Sequence, residues 1–323
     1  MEYFRRLKLA AEVPDTVPID PAVGDPEAAR LLTALQAGDW PAAERVLAAV
    51  DPEDLSFYTA VGSDVQGIET WLPDAVRSAE RNDLALLMYG ARAIGWAWDA
   101  RGAARARFVT PERFELFFSR LRLAEDCLQE VVRRQPDNVA AWYHLIITAR
   151  GLQLGIDEAW RRFERVVTRY PHHPGAHGQL LQQLCPKWSG SFEAMHDFAR
   201  QAVESAPPGT RLGYLIADAH LEHWLELKDG EDKRYITSRA VRDSLHAAAN
   251  HSIRHPDYPH RPGWLIAYNT FTAAFSIAGE MPAAVELFRF LDGRATQSPW
   301  EYLKGGAGPA FCSWWTVALR SAG

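Results

Sequence analysis

Prolines recur at a nearly constant interval through the middle of this chain, and each follows a stretch with helical periodicity. Pro136, Pro171 and Pro207 lie 35 and 36 residues apart, in the segments RRQPDN, TRYPHH and ESAPPG. A proline ends a helix because it lacks the backbone N–H and its ring clashes with the preceding turn. Such a stop signal with this period is typical of stacked helical hairpins, whose apolar faces are buried on their neighbours. The spacing therefore predicts an all-α chain.

Residues 137–171 show the plan of one repeat. Apolar side chains recur at helical spacing on both sides of a break at residues 151–155: Trp142, Leu145, Ile146, Ala149, Ala159, Phe163, Val166 and Val167. This periodicity predicts two amphipathic helices closed by Pro171. The segments GDWPAAER and GEMPAAVE repeat another signal, in which a glycine ends one helix and a proline opens the next.

These residues resemble the tetratricopeptide repeat (TPR). The residues that match its pattern, with one extra residue between the helices of the first unit, are Trp142, Leu145, Ala159, Phe163 and Pro171, then Tyr268, Phe271, Phe275, Gly279, Ala284 and Phe288, and finally Ala124, Leu128, Val131 and Pro136. The resemblance covers residues 28–50 and 83–292 and implies a right-handed α-solenoid of TPR-like hairpins. In such a solenoid the first helix of each hairpin lines a concave groove.

Two segments depart from the repeat and are interpreted as insertions, residues 102–116 and residues 227–239. The second one splits the unit at 210–254, whose helices we therefore expect to be longer than standard. Turn-forming residues predict a loop and linker at 51–70 and a proline-rich connection at 255–263. The predicted organisation has three parts: an N-terminal helical segment with one hairpin and a linker (1–82), the TPR-like repeats (83–292), and a C-terminal loop with a capping helix that ends near Arg320 (293–323).

Charge and cysteine content exclude several classes of protein. The net charge of −6 is spread along the chain without a cluster of basic residues, so we expect no nucleic-acid or anionic-membrane partner. The sequence contains no run of 18 apolar residues, so no membrane span is predicted. The N-terminus has no apolar core of signal-peptide length. Cys127, Cys185 and Cys312 are isolated, which argues against disulfides or structural zinc. These features predict a cytoplasmic protein, and the abundance of arginine and alanine is typical of a GC-rich bacterial genome.

No motif of a common enzyme class occurs in the sequence, so no catalytic residue and no cofactor is predicted. His220 and His223, three residues apart on a helix, are weak candidates for metal ligands, and no metal site is predicted because a third ligand is lacking. His172, His173 and His177 fall in a linker, where we expect solvated side chains. Cys185 is expected to be a buried structural thiol.

The concave face of the predicted solenoid supplies the candidate binding residues. Counting from the three prolines places the following side chains on it: Tyr143, Arg150, Gln182, Arg211, Tyr214, Asp218, Glu222 and Asn269. Polar and aromatic residues together on an inner face suit the capture of a peptide or an acidic terminus.

The stretch CPKWSGSFEA, residues 185–194, interrupts the helical pattern. Its PKWSGS element resembles the PKW-x-GS motif of an uncharacterised bacterial domain family, a resemblance that implies no activity. We interpret it as an inter-helix turn, in which Gly190 allows a tight bend and Ser191 caps the next helix. Trp188 is expected to fold back over the hairpin with Lys187 exposed, and both residues could rim a site.

The sequence favours a protein-interaction scaffold that binds a peptide or protein partner in its groove. Two alternatives stay open. One is an enzyme, or a small-molecule or metal-binding protein, built on the helical cradle; the insertions, the histidines of residues 172–260 and the 12 tryptophans suggest it. The other is a homo-oligomer that associates through the terminal helix containing Trp315.

Overall fold

All regular secondary structure in the described chain is helical. The computed structural model describes residues 13–79, 81–102 and 109–321, and within these ranges it contains no strand. The expectation of an all-α fold is therefore confirmed. Contacts between residues divide the chain into two compact units. The first unit comprises residues 25–190, and the second unit comprises residues 191–323 together with the N-terminal residues up to Gly24.

The first unit contains nine helices in its described residues: α1 (Pro26–Gln36), α2 (Trp40–Ala49), α3 (Leu55–Ser63), α4 (Leu72–Arg77), α5 (Asp83–Arg101), α6 (Pro111–Arg134), α7 (Val139–Gly151), α8 (Ile156–Val167) and α9 (Pro174–Leu184). Helices adjacent in sequence pack together as α1 with α2, α5 with α6, and α7 with α8. The α5–α6 pair shares a core of aliphatic side chains that extends to α7.

The second unit contains seven helices in its described residues: α10 (Phe192–Glu204), α11 (Tyr214–Glu226), α12 (Glu231–Ile236), α13 (Arg239–His251), α14 (Trp264–Ala278), α15 (Met281–Leu291) and α16 (Ala307–Ser321). Helix α14 packs against α11, α13, α15 and α16. It is the most apolar of these helices, and almost every one of its side chains is buried. Its central place therefore follows from its composition, because a helix that is hydrophobic on all sides is stable only when it is surrounded.

The hairpin predicted at 137–171 is confirmed as α7 and α8. The side chain of Asn138 caps α7 by accepting the N–H of Ala141 at 2.9 Å, which satisfies one of the free donors of the first turn. The predicted break falls between Gly151 and Ile156. Gly155, at φ 92°, has the left-handed backbone needed to start α8.

The loop and linker predicted at 51–70 is wrong for residues Leu55–Ser63, which form α3. Its glycine and serine resemble breakers but sit at close helix contacts. A Cβ at Gly62 would come within 3.0 Å of the side chains of both Leu35 and Met88. Gly62 is therefore required because the neighbouring helices leave no room for a side chain, and not because the chain turns there. Local helix propensity cannot distinguish these two reasons for a glycine.

Both predicted insertions contain helix. Residues 111–116 belong to the first turns of α6, which begins after Thr110 accepts the N–H of Arg113 in an N-cap; residues 103–108 lie outside the described residues. Residues 231–236 of the other insertion form α12. The long helices expected in residues 210–254 are not found, because α11 and α13 have 13 residues each, the same length as α7. Longer helices flank the first insertion instead, where α5 has 19 residues and α6 has 24.

The C-terminal helix is part of the core of the second unit. It ends at Ser321, as expected from the sequence. The rings of Phe311 and Trp315 in α16 pack on Phe288 of α15, with centroids 5.0 and 5.9 Å away. A Cβ at Gly308 would overlap the Val17 carbonyl, so the N-terminal strap of residues 13–24 lies directly on this helix. The contact units thus differ from the predicted divisions at 82/83 and 292/293.

Within the described ranges, none of the helices combines the length and the apolar character needed to cross a bilayer.

Candidate functional site

A small pocket, with a cavity volume of about 10 Å³, opens in the second unit. Its wall is built from α11, from α14 and from the segment that follows the Ser298–Pro299 bond. The lining residues are Asp218, Leu221, Glu222, Trp224, Leu225, Ala273, Ile277, Pro299, Tyr302 and Leu303. Two of the predicted groove residues, Asp218 and Glu222, are among them.

Helix α11 supplies half of this pocket. Asp218, Leu221, Glu222 and Leu225 follow the three- and four-residue spacing that places side chains on one face of a helix. The two carboxylates thus lie one turn apart beside aliphatic side chains. Glu222 is buried and Asp218 is half-buried. None of the residues that line the pocket is a lysine, an arginine or a histidine, so its ionisable groups are acidic apart from the Tyr302 phenol.

Asn269 holds the opposite wall in place. This predicted groove residue is fully buried in α14. Its Oδ1 accepts the indole N–H of Trp300 at 2.7 Å and the backbone N–H of Thr296 at 3.3 Å. Its Nδ2 donates to the carbonyl oxygens of Leu265 and Arg294, each at 3.0 Å. The segment bearing Tyr302 and Leu303 is therefore anchored through this amide, which does not itself line the pocket.

Arg211 and Tyr214, two further predicted groove residues, precede Asp218 in the chain. Arg211 donates from Nη2 to the carbonyl of Pro262 at 3.0 Å. Tyr214 opens α11 one turn before Asp218 and is half-buried against the core of the second unit. Tyr214, Asp218 and Glu222 follow one another at four-residue spacing along α11, whereas Arg211 lies in the 3₁₀ turn before it.

The predicted groove residues of the first unit form a separate group. Tyr143 is buried, and burial raises the pKa of its phenol. Arg150 donates to the backbone and side-chain oxygens of Gln179 at 3.0 and 2.8 Å. Its guanidinium also lies 5.8 Å from the ring centroid of Trp188, within cation–π range. Gln182 is half-buried on α9.

The PKWSGS element is a turn, as the sequence predicts. Residues Pro186–Trp188 form one turn of 3₁₀-helix, and Ser189 then takes a left-handed conformation with φ 74°. A Cβ on Gly190 would overlap the Leu184 carbonyl, so only glycine fits there. Ser191 caps α10 by accepting the N–H of Ala194 at 3.0 Å.

Trp188 is half-buried, and Lys187 is exposed. The Trp188 ring makes an edge-to-face contact with Trp98, with ring centroids 6.0 Å apart. Its carbonyl accepts the side-chain N–H of Gln183 at 3.1 Å. The Trp188 ring thus contacts α5, and Trp98 is a partner that sequence reasoning did not identify.

A second polar cluster of the second unit contains the two candidate metal ligands. The Tyr235 hydroxyl lies 2.7 Å from His220 Nδ1 and 3.1 Å from His196 Nε2. His196 Nε2 lies 3.0 Å from His223 Nδ1, and His220 Nε2 lies 3.2 Å from Ser244 Oγ. Four helices thus meet in one chain of hydrogen bonds. Sequence reasoning found His220 and His223 from their spacing but missed Tyr235, which the insertion contributes.

Burial keeps this cluster neutral. Burial, followed by the charge of the neighbouring His223, lowers the pKa of His196 to about 4. Burial and the neighbouring histidines lower the pKa of His220 to about 3, and burial also lowers that of His223. Burial raises the pKa of the Tyr235 hydroxyl. Among the described residues, no group of three His, Cys, Asp or Glu side chains is arranged to hold a metal ion.

The histidines expected to be solvated in the 172–177 linker are largely buried, which corrects that expectation. His173 and His177 are 2% and 5% exposed. His173 is the N-cap of α9, where its Nδ1 accepts the N–H of Ala176 at 3.0 Å. Burial lowers the pKa of His177 to about 4. The segment predicted as a linker is thus the capped start of α9. Histidine is an uncommon residue at an N-cap.

His173 also contacts a hydroxyl, an arrangement that sequence reasoning missed. Its Nε2 lies 3.0 Å from Ser56 Oγ. Because its Nδ1 accepts a backbone N–H, the proton of the neutral ring is on Nε2, and this atom donates to the serine. A general base for a nucleophilic serine needs the opposite polarity. The pair therefore acts as a structural hydrogen bond.

The three cysteines are buried free thiols, as expected for Cys185. Burial, followed by the charge of Asp126, raises the pKa of Cys127 to about 12. A thiol held in this protonated form is a poor nucleophile and a poor metal ligand.

In comparisons with known proteins, no protein-family model matches the chain, and no curated protein matches it either.

Proposed function

We propose that this protein is a helical-repeat interaction module that binds a peptide or protein partner. The observation that carries the proposal is the pocket beside α11, which combines an apolar wall with two carboxylates on the helix face predicted to line a groove. Pockets that join apolar surface with a few placed polar groups are the usual form of binding sites.

The architecture supports the same proposal. Consecutive helices pair as hairpins in both units, and the resemblance to the TPR pattern extends through α7, α8, α14 and α15. We infer that hairpins within each unit stack with the right-handed sense of TPR proteins, which would leave the first helix of each hairpin facing a groove. Three buried thiols agree with a reducing cytoplasm as the place of action.

The open enzymatic alternative has less support. The buried hydroxyl–imidazole pair at Ser56 and His173 has the polarity of a structural bond. The histidines of the Tyr235 cluster are held neutral by burial and bonded to one another. Neither arrangement presents a nucleophile together with a base that could accept its proton.

The proposal is tested by fluorescence anisotropy of labelled ten-residue peptides titrated with the full-length protein. The variant Ile277→Arg places a long charged side chain in the pocket wall. We expect it to weaken binding at least tenfold, because the apolar contact is lost and the opening is filled. The matched control is Ile266→Arg, on the same helix at a position 38% exposed and outside the pocket.

Binding that is equal for Ile277→Arg and Ile266→Arg would place the site elsewhere. A peptide library without any ligand tighter than about 1 mM, which corresponds to a binding free energy of about −4 kcal/mol, would remove the proposed function. Melting temperatures of both variants show whether the substitution disturbs the fold.

A further inference from the structure

The N-terminal strap, residues 13–24, packs on α14 and α16 of the second unit. A Cβ on Gly308 of α16 would overlap the Val17 carbonyl. A Cβ on Gly24 would come within 2.8 Å of the Leu265 side chain of α14. We refer to the face of α14 and α16 that bears Leu265 and Gly308 as the strap seat. Four apolar side chains of the strap pack against the core of this unit: Val13, Val17, Ile19 and Val23.

Apolar contact alone attaches the strap to its seat. In the described ranges, no hydrogen bond or ion pair joins residues 13–24 to another part of the second unit. Three prolines of the strap are exposed: Pro14, Pro18 and Pro21. Proline restricts the backbone and lacks an N–H, so an extended segment that contains several is ordered at little cost in entropy. The strap can therefore leave its seat and return without breaking a hydrogen bond to it.

The hinge between the strap and α1 is strained. Val23 has φ 54° and Gly24 has φ 74°. Glycine adopts this left-handed backbone freely, whereas a β-branched residue rarely does. The turn is held by the Asp20 carboxylate, which accepts the N–H of Ala22 at 2.9 Å and that of Gly24 at 2.8 Å. A hinge that extends would lose these two bonds and relieve the strain at Val23.

The strap of a second copy would find an identical seat. When two copies exchange their straps, each strap makes on its partner the same contacts that it makes in the closed monomer. These contacts cancel, so the hinge decides between monomer and dimer. A short hinge under strain favours exchange. The dimer must still offset the advantage of a tethered strap over a free one, so its formation depends on protein concentration.

We infer that two copies of this chain form a dimer by exchanging their N-terminal straps. Val17 of each copy then packs beside the Gly308 of the other. The homo-oligomer that the sequence left open at the Trp315 helix thus takes a specific form, because this helix is α16, which carries the seat. The inference goes beyond the proposed function and does not depend on peptide binding by the pocket.

The first test is complementation between two damaged chains. Size-exclusion chromatography with light scattering measures the mass of the full-length protein up to about 1 mM, the effective concentration of a tethered segment. We expect the parent chain to dimerise within this range. Val17→Arg damages the strap and Gly308→Arg blocks the seat, so each variant alone should be monomeric. Their equimolar mixture should form a heterodimer, because the intact strap of the Gly308→Arg chain fits the vacant seat of the Val17→Arg chain.

The control for this test is Pro18→Arg, which adds the same charge at the neighbouring, exposed residue of the strap. It should dimerise like the parent chain. Melting temperatures show whether Gly308→Arg folds. If it does not, Gly308→Ala takes its place, since the Cβ alone overlaps the Val17 carbonyl.

The second test measures the hinge. Val23→Gly and Val23→Ala both remove the packing of the side chain, and this loss is equal in monomer and dimer. Only glycine also removes the cost of the left-handed backbone. We expect the dimer of Val23→Gly to have a dissociation constant at least tenfold higher than that of Val23→Ala. Asp20→Ala should shift the equilibrium the other way, because it removes the hydrogen bonds that hold the closed turn.

Several results would each overturn the inference. They are a parent chain that is monomeric up to about 1 mM, damaged chains that do not form a heterodimer, and equal dissociation constants for the two Val23 variants. An Asp20→Ala dimer no tighter than the parent dimer would have the same consequence. The proposed peptide-binding function is unaffected by these results, because none of the substitutions lies in the pocket.

Discussion

The Oδ1 atom of Asn269 accepts the indole N–H of Trp300 at 2.7 Å, and both side chains are fully buried. Asn269 lies in the centre of α14, and Trp300 lies three residues before the pocket residue Leu303. One buried amide therefore connects the core of the second unit to the wall of its pocket. Stability and binding should depend on this amide together.

Asn269→Ala should lower the free energy of unfolding by about 2–4 kcal/mol, because it leaves the Trp300 N–H and neighbouring backbone groups buried without their partner. Peptide binding should weaken as well, since Tyr302 and Leu303 lose their anchor. Urea denaturation and anisotropy measure the two effects. Thr270→Ala is the control, because its hydroxyl bonds only within α14, to Ile266. Equal peptide affinity in folded Asn269→Ala would contradict the link to the pocket.

Stability should fall in mild acid because of the Tyr235 cluster. The folded-state pKa of His220 is depressed to about 3, whereas an unfolded histidine titrates near 6.5. The unfolded chain thus binds protons first as the pH falls. The stabilisation is complete above about pH 6.5 and is lost between this pH and about 3, by up to 1.4 kcal/mol per pH unit for one ring.

Chemical denaturation between pH 4.5 and 7.5 measures this dependence. His220→Gln should make the slope of unfolding free energy against pH shallower, while keeping a group that hydrogen-bonds to Tyr235. His255→Gln removes a histidine outside the cluster and controls for the loss of one ring. An unchanged slope in His220→Gln would show that this ring binds its proton equally in the folded and unfolded chains, which contradicts the depressed pKa.

Substitutions at two neighbouring residues of the PKWSGS turn should change the stability of the protein in opposite directions. Gly190→Ala should destabilise the protein by more than about 2 kcal/mol, because its Cβ would overlap a backbone carbonyl that cannot move alone. Ser189→Gly should stabilise it by about 1 kcal/mol, because glycine adopts the left-handed conformation without steric cost. Urea denaturation of both variants tests the turn, and a neutral Gly190→Ala would refute the geometry.

Two adjacent arginines of α8 should differ sharply. Arg162 is 3% exposed, and its Nη2 and Nη1 donate to the two carboxylate oxygens of Glu125 at 2.7 and 2.9 Å. Arg162→Leu should cost about 3–5 kcal/mol, because it removes a buried cation and leaves the half-buried Glu125 carboxylate without its partner. Arg161→Leu removes only an exposed ion pair to Glu158 and should cost less than about 1 kcal/mol. Thermal and urea unfolding compare the two, and equal losses would contradict the burial argument.

Helices were predictable where their signals are local. The hairpin of α7 and α8 could be predicted from the spacing of its apolar residues and from the proline that follows it. The turn at residues 186–191 could be predicted because glycine and serine have definite backbone and capping roles. Helix α3 could not be predicted, since its Gly62 is a packing residue and looks like a breaker when read locally.

The candidate site was predictable in part. Asp218 and Glu222 were found by counting along a repeat, which fixes the face of a helix. The opposite wall, from Pro299 to Leu303, was not found, because it comes from a loop whose position depends on a side-chain bond to Asn269. Tyr235 was missed for the same reason, as it reaches His196 and His220 across three helices.

The sequence by itself determined the helices, most of their ends and the faces they present, because periodicity, caps and proline stops act within a few residues of one another. Tertiary structure alone decided which faces meet. It buried Asn269 and His173, joined Trp188 to Trp98, and closed a pocket around Asp218 and Glu222. These outcomes depend on contacts between residues far apart in the chain, whose free energies are set by burial and hydrogen bonding in the assembled core and leave no local pattern in the sequence.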